Sequence, residues 1–369
     1  MRPLWVALLL ATLPGRPAFS QRQVDLTGKP DATVPEAFSQ VAGLRELPRN
    51  RAIVTDQMER TVFVVDFGTG TRRPIGRQGD GPGEYRFPRA PLAGVADTTL
   101  LFDAVQRRLH QIAADGTFVG STTPTGGALT AARGTDRRGR VYFETSSLDQ
   151  DRGTFVDSVV VVRWNPVNGQ SQALTKVWSG GRVILRRPEG AASLARSITP
   201  FPALDAWGVL PDGAVVIALH NPYRLTIVTT DGAVRVGDPI AVTPPPVSSA
   251  DRASFREQAS TRRSTALRLG GGSGPPGGGI QFRDEDFPER MPAFIAETLL
   301  ITPEGEIWIG RGHSTGDRTW RYDIFDAQGR LVGAATLPTA AVVAGFGAGT
   351  VYLVRTDGDD LKYLERHRR

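Results

Sequence analysis

Along most of this chain apolar residues come in short runs, and turn-forming pairs interrupt them before a helix could form. The stretch from Gly76 to Gly116 shows the pattern most clearly. It opens with the loop Gly76-Arg77-Gln78-Gly79-Asp80-Gly81-Pro82-Gly83-Glu84-Tyr85-Arg86-Phe87-Pro88. Three apolar segments follow, Ala90 to Val95, Thr99 to Phe102 and Leu109 to Ala113, and Asp115-Gly116 closes the unit. Segments this short, rich in β-branched and aromatic residues and separated by Gly and Asp, predict antiparallel strands joined by tight hairpins.

The unit recurs. Taking its second strand with the turn before it as the ruler, Arg49-Asn50 precedes Ala52 to Thr55, Asp97-Thr98 precedes Thr99 to Phe102, and Arg138-Gly139 precedes Val141 to Phe143. Asp212-Gly213 then precedes Ala214 to Leu219, Glu304-Gly305 precedes Glu306 to Gly310, and Ala348-Gly349 precedes Thr350 to Val354. Third strands are predicted at Thr61 to Phe67, Val159 to Trp164, Leu225 to Thr229, Trp320 to Phe325 and Leu361 to Leu364. Repeats of ~40 to 50 residues built from three or four antiparallel strands are the signature of propeller blades, each too small to be stable without its neighbours. The expected fold is therefore all-β, a six-bladed β-propeller of four-stranded antiparallel blades. The last unit has only three strands before Arg369, and Gln23 to Thr27 is expected to supply the fourth and remove an open edge.

Two spacings exceed the repeat. One is the loop from Trp178 to Thr199, and the other is an insertion from Pro244 to Glu289 between the fourth and fifth units. The insertion reads as a Pro244-Pro245-Pro246 stop, a helix over Ser248 to Leu269 and a flexible glycine-rich run over Gly270 to Gly279. Arg252, Arg256 and Arg263 fall on one side of that helix, and Asp284, Glu285, Asp286 and Glu289 just downstream are placed to neutralise them.

The first twenty residues stand apart. Arg2, the apolar run Leu4 to Leu13, the break at Pro14-Gly15 and the small residues Ala18-Phe19-Ser20 read as a cleaved signal peptide, with the mature domain spanning residues 21–369. The apolar run is too short to span a bilayer, and no later segment is apolar enough. The expected location is periplasmic or extracellular. The chain has no cysteine, which excludes disulfides, thiolate metal sites and a cysteine nucleophile. Loss of Arg2 and Arg16 with the leader lowers the formal charge from +6 to +4, and there is no dense basic run, so nucleic acid is not an expected partner.

The glycine-rich loop Gly76 to Tyr85 with Pro88, the pattern Leu101-Phe102-Asp103 to Arg107 to Asp115-Gly116, and Glu304-Gly305-Glu306-Ile307-Trp308-Ile309 resemble the exported bacterial six-bladed β-propellers related to NHL repeats. The resemblance covers nearly all of the mature chain except the insertion. It implies a six-bladed ring and, because that family is functionally mixed, binding or scaffolding more readily than any one activity. Beside the resemblance, the glycines let the loop turn through conformations other residues avoid, and Glu84 and Tyr85 are placed to tie it to a neighbouring blade.

Ligands of propellers bind at the axial face formed by the loops that follow each second strand. The residues at those strand ends are Asp56, Asp103, Glu144, His220 beside Leu219, Arg311 and Arg355, the expected ligand-binding mouth. The register makes half of that mouth acidic and half basic, which suits a ligand carrying both charges or an anion held by the two guanidiniums. The competing reading is that Asp56 with Arg60, and Asp103 with Arg107, brace their own hairpin turns. An expected zinc site lacks its imidazoles, since only His220 and His313 of four histidines fall in suitable loops. Asp56, Asp103 and Glu144 could hold calcium. No Gly-x-Ser-x-Gly elbow is present, and Trp164, Trp178, Trp207, Trp308 and Trp320 read as blade packing before a carbohydrate platform. The sequence thus predicts a monomeric module without a cofactor that binds a protein or small-molecule ligand. The alternative is a calcium-assisted hydrolase or lyase of the lactonase type with its site on the axis.

Overall fold

The computed structural model describes residues 21–126, 129–145, 148–149, 154–155, 157–180, 183–186, 195–268 and 281–369. The leader up to Ser20 and the glycine run Gly270 to Gly279 lie outside the described residues.

Six small antiparallel sheets follow one another in chain order and close into a ring, so the chain folds as a six-bladed β-propeller. Blade 1 runs Val41–Leu47, Arg51–Asp56, Thr61–Asp66 and Thr71–Ile75; blade 2 runs Leu92–Ala93, Thr99–Asp103, Arg108–Ile112 and Phe118–Thr122. Blade 3 is Leu129–Thr135, Val141–Thr145, Ser158–Trp164 and Ser171–Trp178; blade 4 is Ala206–Val209, Val215–His220, Tyr223–Val228 and Val234–Val236. Blade 5 comprises Leu300–Ile301, Ile307–Gly310, Thr319–Phe325 and Leu331–Thr339, and blade 6 comprises Ala341–Gly347, Thr350–Thr356 and Lys362–Arg368.

Burial explains why the second strands were the most legible. Each is covered on both faces by neighbouring blades, so Thr99–Asp103 is buried throughout and Arg51–Asp56 at every residue but the first. Strands covered on both faces read as continuous apolar runs. Six apolar clusters fill the six gaps between blades. Ile53 and Leu101 meet between blades 1 and 2, Phe102 and Phe143 between 2 and 3, and Tyr142 and Val215 between 3 and 4. Val216 meets Ile309, Trp308 meets Val351, and Tyr352 meets Val54, which carries the core back to blade 1.

The closing strand is not the expected one. Ala32–Thr33 completes blade 6, with Ala32 opposite Arg366, while Arg22–Asp25 adds a fifth, parallel strand to the outside of blade 5, with Arg22 opposite Gly333. The apolar residues decide this. Leu26 is buried in the cluster between blades 5 and 6, whereas Val34 and Phe38 are buried between blades 6 and 1, so the chain must cross from one gap to the next between them.

The glycine-rich loop joins blades 1 and 2. Tyr85 fastens it, its hydroxyl donating to the Ile75 carbonyl at 2.9 Å and accepting the Val62 amide at 3.1 Å. Gly76 sits at φ +64°, and a Cβ there would lie 2.6 Å from the Gly83 carbonyl and 2.8 Å from the Tyr85 ring, so the turn needs glycine. Glu84 accepts from Arg77 and from the Gly81 amide and holds the loop's own turn.

Among the described residues the insertion forms one α-helix, α1 (Ser249–Arg268), preceded by Ser248 as its cap. Ser248 and Asp251 bond reciprocally across the first turn. Arg256 pairs with Asp284 at 2.6 Å, the neutralisation within the insertion that the acids predicted. Phe255, Phe201 and Phe282 pack with Val247, Phe287 and Met291 in a seventh cluster separate from the six between blades. Among the described residues no helix is long and apolar enough to cross a membrane.

Candidate functional site

The first strands of the six blades stand around the axis and enclose a channel of about 630 Å³. Its wall is formed by residues 42–45, 90–96, 132–137, 204–209, 299–303 and 344–346, mostly small side chains and main chain. At Gly43 an added Cβ would meet that of Ala90 at 2.8 Å, a measure of how closely the inner strand of blade 1 approaches the segment entering blade 2. The end at which second strands finish is called upper here.

Charge on this wall is divided by blade. Arg45 comes from blade 1 and Arg133 from blade 3. Arg89, on the segment entering blade 2, stands outside the lining but close enough to Arg133 and Glu144 to feel the field of both. Asp205 stands at the start of blade 4 and Glu297 ahead of blade 5. The carboxylates nearest the arginines are already engaged. Glu144 accepts from Arg133 Nε at 3.1 Å and from the Trp207 indole at 3.2 Å. Asp136 accepts from Arg140 at 2.6 Å and from the Tyr142 hydroxyl at 2.9 Å. The side over blades 1 to 3 therefore carries Arg45, Arg137 and Arg133 with its Glu144 partner, and it faces Asp205 at the start of blade 4.

Several of these groups are held in unusual states. Burial lowers the pKa of Arg89, the like charge of Arg133 lowers it further, and its Nε is shielded from water with no partner. Burial raises the pKa of Asp205, and one hydrogen bond, from the His220 amide at 3.2 Å, partly offsets it. The His220 ring stacks on Phe294 with centroids 3.8 Å apart. Burial pushes its pKa down to about 4 against a hydrogen bond to the Leu204 main chain, leaving a neutral imidazole behind Asp205. Trp178, 46% exposed, borders the upper mouth, while Trp207 is buried beneath it.

The six residues expected at the mouth do not converge, and among them only Glu144 lines the channel. Asp56 is fully buried and accepts the amides of Ser39, Gln40, Met58 and Glu59. Asp103 repeats the arrangement one blade on, with the amides of Arg86, Phe87, Val105 and Gln106. Both carboxylates tie a hairpin turn to the segment entering their region, through amides rather than through Arg60 and Arg107. Arg311 donates twice to the buried Asp323, at 2.8 and 2.6 Å, and Tyr223 donates to the same carboxylate. Arg355 pairs with the buried Glu365 at 2.5 Å and borders a separate side cavity of about 540 Å³ beneath residues 27–33. His220 stands behind the wall. The polarity expected across the mouth, acids from the early blades and bases from the late ones, is not kept on the channel wall, where arginines come from blades 1 and 3 and acids from blades 3 and 4.

Arg45, Arg89, Arg133 and Asp205 escaped the sequence reading, whereas Trp207, expected as blade packing, is buried between blades 3 and 4. The signal of those four was a charged residue within or just before the first strand of a repeat, as Arg45 is within Val41–Leu47 and Arg133 within Leu129–Thr135. Register shifts at Val41/Gly43 and Ala132/Gly134 break the alternation that would have assigned these residues a face. Among the described residues, no three His, Asp or Glu are grouped as a metal ion would require.

No protein-family model matches this chain, and no curated protein sequence does. Solved structures with similar folds include a candidate exported protein of Bacteroides fragilis (12% identity, 94% of each chain, TM-score 0.49). A calcium-binding protein, regucalcin, of Agrobacterium tumefaciens matches at 12% identity over 94% of this chain and 97% of that one, TM-score 0.45. A gluconolactonase of Xanthomonas campestris matches at 13% identity over 91% of each chain, TM-score 0.45. Neither activity nor ligand passes to this chain from likenesses at these levels.

Proposed function

We propose that this protein is an exported binding module whose channel mouth takes a small organic ligand carrying both charges, of amino-acid type. The observation that carries this reading is the divided wall: Arg133, within the field of Arg89, on one side of the upper mouth and Asp205 on the other, the last with no cationic partner among the described residues. The ligand's carboxylate would be received by the Arg133 guanidinium, whose planar fork matches it, and its ammonium by Asp205. Trp178 offers an apolar rim for the rest of the molecule. A channel of this volume is within the range of small-molecule sites, and its low-dielectric wall strengthens each of these interactions.

Calorimetry of the purified protein with a panel of free amino acids tests this. The expected outcome is saturable binding that Arg133→Gln weakens by about 10- to 100-fold, the loss of one charge-assisted contact. No binding by any zwitterion, together with calcium retained by the purified protein, would overturn the proposal in favour of the metal-assisted hydrolase.

A further inference from the structure

We infer that the channel selects acidic amino acids, with Arg45 as the receptor for a second carboxylate; this rests on the binding reading above. Arg45 is a channel-lining guanidinium that forms no ion pair among the described residues. Its Nη1 donates to the Asp97 carbonyl at 3.3 Å and to the Thr99 hydroxyl at 3.2 Å, which fixes the fork, while its Nε is shielded from water and has no partner. Burial lowers its pKa, and the Asp97 carboxylate opposes that only through space. A shielded cation whose nearby carboxylate acts only through space, with no ion pair among the described residues, is costly to keep, and an anion entering the channel would relieve that cost.

The strand registers set the depth of Arg45. Thr99 pairs with Ala93, and the Ala93 carbonyl accepts the Thr135 hydroxyl at 2.6 Å, so the Arg45 guanidinium lies at the level of Thr135. Arg133 is two residues up the same inner strand, a step along the strand of at most about 7 Å because the register shift at Ala132/Gly134 shortens the regular rise. Two carboxylates a few bonds apart, each about 2.8 Å from its guanidinium, bridge that gap. Arg45 and Arg133 both belong to the side of the wall contributed by blades 1 to 3, opposite Asp205. Asp136, the one other carboxylate at Arg45's end of the wall, is engaged by Arg140 and Tyr142. Two anionic receptors on one side and one cationic receptor on the other describe a molecule with two carboxylates and one ammonium.

Isothermal titration of the whole protein with L-glutamate, L-glutamine and L-norvaline at neutral pH separates the two readings. The wild type is expected to bind glutamate at least about tenfold more tightly than glutamine, the tier of a charge-assisted contact over a neutral one. Arg45→Gln should abolish that preference while leaving the affinity for norvaline, whose side chain makes no polar contact, within about threefold, and Arg45→Lys, which keeps the charge without the fork, should retain part of it. Equal affinity for glutamate and glutamine in the wild type, or a preference that survives Arg45→Gln with unchanged thermal unfolding, overturns the role of Arg45 and leaves the mouth intact. Absence of binding by all three ligands overturns both.

Discussion

At the scale of single residues, burial decides which charges are available and which are fixed. His220 shows this in a form that solution experiments can read. Its pKa is pushed from an ordinary 6.5 to about 4, so below pH 6.5 the unfolded chain takes up a proton that the folded protein refuses. The stability this contributes is complete above pH 6.5 and is lost as pH falls from there toward 4. Asp205, raised by burial, works in the opposite direction, since the folded protein takes up its proton more readily than the unfolded chain does. His220→Phe keeps the stack on Phe294 and leaves the main-chain bond to Asp205 in place, so comparing it with the wild type isolates the imidazole. The thermal midpoint of the variant should fall less steeply than that of the wild type between pH 6.5 and 4. Parallel curves would show that the ring is hydrated in solution. The positions of Asp56 and Asp103 at strand ends were legible from their turns, but the direction of a carboxylate was not. Turn amides that a sequence cannot display captured both groups.

At the scale of elements, the insertion shows one side chain linking local and tertiary structure. Asp251 is fully buried at the third position of α1. One carboxylate oxygen accepts from the Ser248 amide and hydroxyl, at 2.8 and 2.6 Å, and starts the helix. The other accepts from the Ser314 hydroxyl and from the amide and hydroxyl of Thr315, each at 2.7 Å, and docks the helix on the loop between the second and third strands of blade 5. Burial alone would raise its pKa, and these bonds more than reverse that, holding the group well below the usual carboxylate range. Asp251→Ala removes the cap and the dock together and leaves buried hydroxyls unpaired. A loss of about 3 kcal/mol in helix docking is expected. Hydrogen exchange of the α1 amides should rise by about two orders of magnitude while blade amides keep their protection. Protection of α1 unchanged from wild type would mean that the aromatic contacts of Phe255 suffice. The helix itself was legible from its cap and its length. Its seat on blade 5 was not, because Ser314 and Thr315 lie more than sixty residues away and nothing in their own sequence context marks them.

At the scale of the whole molecule, stability is a property of the ring, because each blade buries its faces only against two neighbours. Six repeats with their second strands were legible because those strands are apolar on both faces. The closing contact was not, because it rests on two residues, Ala32–Thr33, too few to carry a pattern. Around them Val34 and Phe38 are almost wholly buried between blades 6 and 1, each contributing about 1.5–3 kcal/mol by burial. Arg22–Asp25 is mostly exposed and lies on the outside of a blade that already has four strands, so it contributes chiefly through Leu26. Two truncations separate these roles. Deleting residues 21 to 28 should lower the thermal midpoint by a few degrees, as expected for about 2 kcal/mol in a chain this long. Deleting residues 21 to 39 also removes Val34, Phe38 and the strand that covers Lys362–Arg368, and exposes the edge of blade 6 to pairing with other chains. That variant should unfold at a much lower temperature and aggregate on heating, monitored by scattering alongside circular dichroism. Equal midpoints for the two truncations would place the closing contact at Arg22–Asp25 after all. A longer truncation as stable as the wild type would mean that the ring holds without a strand supplied from the N-terminal side.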